Sequence, residues 1–143
     1  MIKTFYSNNE TIALVIKKEY SGEGIQFFTE DDAPQQIGFM QHKQGYKILP
    51  HVHNIVKREI SLTQETLVIR KGKLRLDLYS KDREYLESTI LSEGDIAILI
   101  SGGHGLFCLE DVEMIEVKQG PYLGVNDKIR ISEVSDEEIV FNN

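Results

Sequence analysis

The chain has 143 residues, a net charge of −7, an apolar fraction of 41% and a charged fraction of 27%. That length suits one compact domain with a sizeable core, and the acidic balance argues against a nucleic-acid surface, which needs clustered cations. No apolar run approaches the roughly 20 residues that span a bilayer. The first seven residues lack a signal-peptide apolar stretch, and the single cysteine, Cys108, excludes an internal disulfide and fits a reducing compartment. A cytoplasmic protein with neither nucleic acid nor membrane among its partners is expected.

Period two dominates the chain. Residues 11–17 form a nearly continuous apolar run and residues 24–29 a second strand candidate, with Ser21-Gly22-Glu23-Gly24 turning between them. A polar loop over residues 30–34 precedes the segment 36–43. Residues 46–53 alternate, with Lys47, Leu49, His51 and His53 on one face. Residues 66–70 lead through a hairpin turn centred on Gly72 into residues 74–79, where Leu74, Leu76 and Leu78 face a core and the charges face water.

Residues 81–84 make a second tight turn before a strand over 85–91. Glu93-Gly94-Asp95 then turns the chain into the apolar run 96–100, which Ser101-Gly102-Gly103 breaks before His104. Two further strands are expected over 106–109 and 112–118. The tail, 128–141, carries one more strand candidate and an acidic turn or short helix at Ser135-Asp136-Glu137-Glu138. Cys108 is expected to pack as a small hydrophobe. Roughly ten short strands without a long amphipathic helix indicate an all-β barrel or sandwich.

Two imidazoles two residues apart on a strand share a face and can converge on one point. His51 and His53 stand so, Glu65 opens the next apolar strand, and His104 follows the Gly-Gly turn. Imidazoles with a carboxylate make a plausible ligand set for one divalent metal, with Fe, Mn, Ni, Zn and Cu all compatible. Glu59 competes with Glu65 for the carboxylate role. Met114, Glu116 and Lys118 share a strand face that points either into a cavity or to solvent, and Tyr6, Tyr46 and Tyr122 are candidate hydrogen-bonding or stacking groups. His42 reads as a strand-end polar residue.

Gly45 precedes His51 by five residues, His53 completes the pair, and six residues separate Glu65 from Gly72. With Gly94, Gly102 and His104 downstream, this pattern resembles that of the cupins. The match departs from the family in the eleven residues between His53 and Glu65, where the family has a short gap. Ile100 and Cys108 stand where its second motif has proline and asparagine, and His104 comes one residue early.

The resemblance implies a single cupin domain over 1–143, a jelly-roll β-barrel with its core about 36–118 and the N-terminal strands and C-terminal tail packed on it. It implies one divalent metal held by His51, His53, Glu65 and His104, and a homodimer. The expected function is a metal-dependent enzyme acting on a small polar metabolite, carbohydrate or sugar-derived, as an isomerase or oxygenase. One rival is a metal-free sugar-nucleotide isomerase or epimerase, with His51 or His53 as base, a tyrosine as acid, and Lys47, Lys57, Arg58 and Arg75 on the diphosphate. Another is a non-catalytic small-molecule-binding cupin.

Overall fold

The computed structural model describes residues 1–142. It divides into two compact units: unit 1 comprises Met1–Tyr20 with the segment from Leu62 onward, and unit 2 comprises Ser21–Ser61. The described residues are all-β apart from two single-turn 3-10 helices, Gly124–Asn126 and Asp136–Glu138. None of their helices is long and apolar enough to cross a membrane.

Unit 1 holds two antiparallel sheets, neither closed on itself. The strands β1 (Ile2–Ser7), β2 (Glu10–Ile16), β5 (Glu65–Lys71), β8 (Ile96–Leu99) and β10 (Glu113–Lys118) form a five-stranded sheet in the order β1-β2-β8-β5-β10. The strands β6 (Lys73–Tyr79), β7 (Tyr85–Ser92) and β9 (Gly103–Cys108) form a three-stranded sheet in the order β7-β6-β9. One buried cluster draws Ile12, Val15, Leu67 and Ile69 from the first sheet and Leu74, Leu76, Leu78 and Leu91 from the second. The sheets therefore pack through their apolar faces. Leu74, Leu76 and Leu78, each at most 1% exposed, contribute about 1.5–3 kcal/mol apiece by burial.

The alternation in β6 has a second consequence, because its other face carries charges. Arg75 and Asp77 point away from the leucines and form an ion pair with Nε 2.8 Å from Oδ1. The Ser88 hydroxyl donates to the same Asp77 oxygen at 2.5 Å. The tail closes over this face: the Val134 N–H donates to the Tyr79 hydroxyl at 3.0 Å, the Val140 N–H to the Tyr85 hydroxyl at 3.0 Å, and the Ser88 N–H to the Val140 carbonyl at 2.7 Å. Its polar groups find hydroxyl and backbone partners instead of a ladder, so the strand expected within 128–141 is absent and the acidic cluster forms the 3-10 turn.

Gly72 turns β5 into β6 at φ +78°, where a Cβ would lie 2.1 Å from the Asp111 carbonyl oxygen. The turn at Lys71-Gly72-Lys73 therefore needs glycine for space as well as for dihedral angle, but it is not the expected hairpin: β5 and β6 do not pair, and the chain passes there from one sheet to the other. Cys108 is exposed rather than packed, because it ends β9, which borders only β6.

Unit 2 contains a two-stranded antiparallel sheet of β3 (Gly24–Phe27) and β4 (Gly38–Gln41). The strand expected over 46–53 does not form: no regular structure occupies residues 46–61. Pro50 interrupts that run with a residue that cannot donate to a ladder. Ile48, Leu49 and Val52 are exposed, so the alternation has no buried face to serve. Conversely, β1 carries no strong alternation and owes its strand form to pairing with β2.

Candidate functional site

Strand register brings the site together at one end of unit 1. Lys118 pairs with Glu65, Glu116 with Leu67 and Met114 with Ile69 between β10 and β5. Leu67 and Ile69 are core residues, and directly paired residues share a sheet face. Glu65, Lys118, Glu116 and Met114 therefore project to the inner side. On the facing sheet, His104 pairs with Leu78 and Leu106 with Leu76, so the same argument turns His104 inward. These side chains line a cavity of about 320 Å³, together with Thr63, Leu67, Leu106, Asp127 and Lys128.

Within the cavity, His104 Nε2 lies 3.0 Å from Glu65 Oε2. The hydrogen bond from His104 holds the Glu65 carboxyl below its ordinary 4.5, against the opposing pull of burial. The Lys118 charge acts in the same direction as His104. Lys118 Nζ is 3.7 Å from Glu65 Oε1 and 2.5 Å from Asp127 Oδ2. The Asp127 hydrogen bond raises the Lys118 pKa and lowers that of Asp127. Asp127 also accepts the Leu123 N–H at 3.3 Å, which fixes the loop after β10 beside the cavity. Lys118 further lies 5.6 Å from the Tyr122 ring centroid.

Of the four expected ligands, Glu65 and His104 meet in unit 1. Two donors each about 2.1 Å from one ion, at a right angle, stand about 3.0 Å apart, so this pair suits adjacent positions on a metal as well as a hydrogen bond. Within unit 1, no third His, Cys, Asp or Glu completes a ligand group among the described residues. His51 and His53 lie in unit 2 with ring centroids 5.3 Å apart and planes at 77°. His51 Nδ1 is 2.9 Å from the Leu49 carbonyl. That contact places the proton on Nδ1 and leaves the Nε2 lone pair available, the pattern of metal-binding imidazoles. The four-residue set is thus present as two pairs, one in each unit.

Other candidates have local partners. Glu59 pairs with Lys57 at 2.9 Å, His42 stacks on Tyr46 at 4.1 Å, and Arg75 is held by Asp77. Tyr6 is exposed on β1. Asp127 is a site residue that no motif in the sequence marks. The turn residues Gly124-Val125-Asn126 preceding it are the only local signal, and nothing in their spacing points to Lys118. Comparison with family models, curated proteins and solved structures finds no match to this chain.

Proposed function

We propose that the chain is a cupin-type jelly-roll protein that binds one divalent metal and acts on a small polar metabolite in the cavity of unit 1. The observation that carries this reading is the 3.0 Å approach of His104 Nε2 to Glu65 Oε2 from opposite sheets. Two facing antiparallel sheets around a leucine core, with the pair at their open end, support the jelly-roll assignment. Glu65 and His104 would hold the metal within unit 1. When bound, the metal supplies Lewis-acid polarisation of a substrate oxygen.

The chain's own groups set what can bind beside it. Lys118 offers an ammonium group to an anionic or hydroxyl-rich substrate, Asp127 keeps that group protonated and aimed, and Glu116 accepts hydrogen bonds. Leu67, Leu106 and Met114 give the cavity an apolar wall, which limits water around the polar groups. A carbohydrate-derived metabolite fits such mixed lining.

Elemental analysis of protein purified without chelators tests the proposal. Near-stoichiometric metal in the parent protein, falling in Glu65→Gln and His104→Ala, is expected. Sub-stoichiometric metal after reconstitution sinks it.

A second reading has its own observation. Lys118 stands 3.7 Å from Glu65 Oε1, so the carboxylate already has a cation and a hydrogen-bond donor. Without metal, Glu65 and His104 form a proton-transfer pair, the imidazole moving a proton between substrate and carboxylate. Turnover that survives chelation yet is lost in Glu65→Gln selects this alternative.

A further inference from the structure

The lining of the cavity continues past His104. A second cavity of about 910 Å³ runs beside β9 within unit 1 and shares His104, Leu106, Asp127 and Lys128 with the first. That volume lies in the range of small-molecule sites. Its lining includes four cations, Lys81, Arg83, Lys128 and Arg130, against two carboxylates, Asp127 and Glu133. This excess of positive charge occurs in a chain whose net charge is −7, so it runs against the average of the surface.

The pairing of these charges is uneven. Asp127 is neutralised by Lys118, and Lys81 meets Glu10 at 2.6 Å. Arg83 and Arg130 have no ion-pair partner among the described residues. Two such guanidinium groups on one cavity suit a bidentate anion supplied from outside.

Two backbone features point the same way. Arg83 adopts φ +70° in the turn between β6 and β7, a left-handed conformation that costs a non-glycine residue and recurs at functional sites. β9 pairs only with β6, so alternate peptide N–H groups along its free edge point away from the ladder. Gly103 and Gly105 line the cavity on either side of His104, with the Ile131 side chain packed on Gly103 and the space over Gly105 more open.

We infer that unit 1 binds a phosphorylated small molecule. Arg83 and Arg130, assisted by Lys81 and Lys128, hold its phosphate or diphosphate, and its polar body extends past Gly103 and Gly105 to Glu65 and His104. The inference rests on the site reading above for the position of the reacting end, and the phosphate subsite itself stands on the second cavity.

Calorimetric titration of the full chain with pyrophosphate, after dialysis against chelator, separates the two. Saturable binding is expected, weakened about tenfold for each arginine removed in Arg83→Gln and Arg130→Gln, since one charge-assisted contact of about 1.4 kcal/mol is a factor of ten. Lys73→Gln, whose ammonium pairs with Glu110 outside both cavities, should bind as the parent does. Orthophosphate binding as tightly as pyrophosphate identifies a phosphomonoester, and tighter pyrophosphate identifies a diphosphate. Absence of saturable binding, or equal affinity in the Arg83→Gln/Arg130→Gln double variant, overturns the inference. Metal content of Glu65→Gln reports on the site reading alone.

Discussion

Glu65 opens β5 and Lys118 closes β10, and the two are direct cross-strand partners with Nζ 3.7 Å from Oε1. Because Asp127 lies on the other side of the same ammonium at 2.5 Å, one cation serves a strand carboxylate and a loop carboxylate. Glu65, Lys118 and Asp127 therefore form one electrostatic unit, in which the two carboxylates and the ammonium each favour the other's charged form.

Replacing Lys118 with methionine should raise the Glu65 pKa, because a charge that favours the carboxylate is lost while burial remains. Carbon-detected NMR titration of the Glu65 carboxyl checks the direction. A midpoint unchanged from the parent protein would place Lys118 outside the unit. In Asp127→Asn, the Lys118 pKa should fall back toward 10.5.

Stability should depend on pH through Glu65. Its carboxyl titrates below 4.5 in the folded chain, so the unfolded chain binds the proton more readily. The ionised group then contributes stability that is fully present above the unfolded value and is lost as pH falls through the lowered folded value. Thermal denaturation between pH 6 and about 3 should show a shallower acid decline for Glu65→Gln than for the parent.

Glycines on either side of His104 should respond differently to alanine. Gly102 has φ +72°, and its Cβ would meet the Tyr79 carbonyl oxygen at 2.2 Å, whereas a Cβ on Gly105 meets nothing closer than 3.7 Å. Urea denaturation should find Gly102→Ala destabilised by at least about 1–3 kcal/mol and Gly105→Ala within about 1 kcal/mol of the parent.

The Arg75–Asp77 pair on the opposite face of β6 makes a sharper stability test. Their side chains are 12% and 8% exposed, and Arg75→Met would leave Asp77 with the Ser88 hydroxyl as its remaining side-chain partner. A loss of about 3 kcal/mol is expected in urea denaturation, partly restored by also replacing Asp77 with asparagine. An unchanged midpoint would show that tail contacts alone hold this face.

Much of the strand inventory was legible because its signals are local. Leu74, Leu76 and Leu78 alternate with charged or polar residues, Gly72 and Gly94 mark turns, and the run at 96–100 is too short and apolar for anything but a buried strand. Residues 46–53 show the limit of that logic: alternation proposes a strand, but a strand also requires an edge to pair with and a face to bury. The failure of the tail to form a strand has the same origin, since Tyr79, Tyr85 and Ser88 supply its hydrogen bonds in place of a neighbouring strand.

Among the candidate ligands, Glu65 was nameable from its place at the start of an apolar strand, His104 from the Gly-Gly turn before it, and Glu116 and Lys118 from a shared strand face. Asp127 was not, because its link to Lys118 depends on a loop path that has no periodic signature.

The sequence by itself determined an all-β chain, its turn glycines, its leucine core and the residue types able to carry chemistry, since dihedral preference and period two are properties of neighbouring residues. The tertiary structure decided which of those residues meet. Glu65 reaches His104 only because the β5–β10 and β6–β9 registers turn both inward at the same end of two packed sheets. Arg83 and Arg130 come to line one cavity only because the tail folds back beside β9. Such meetings depend on long-range register and loop closure, which no local pattern encodes.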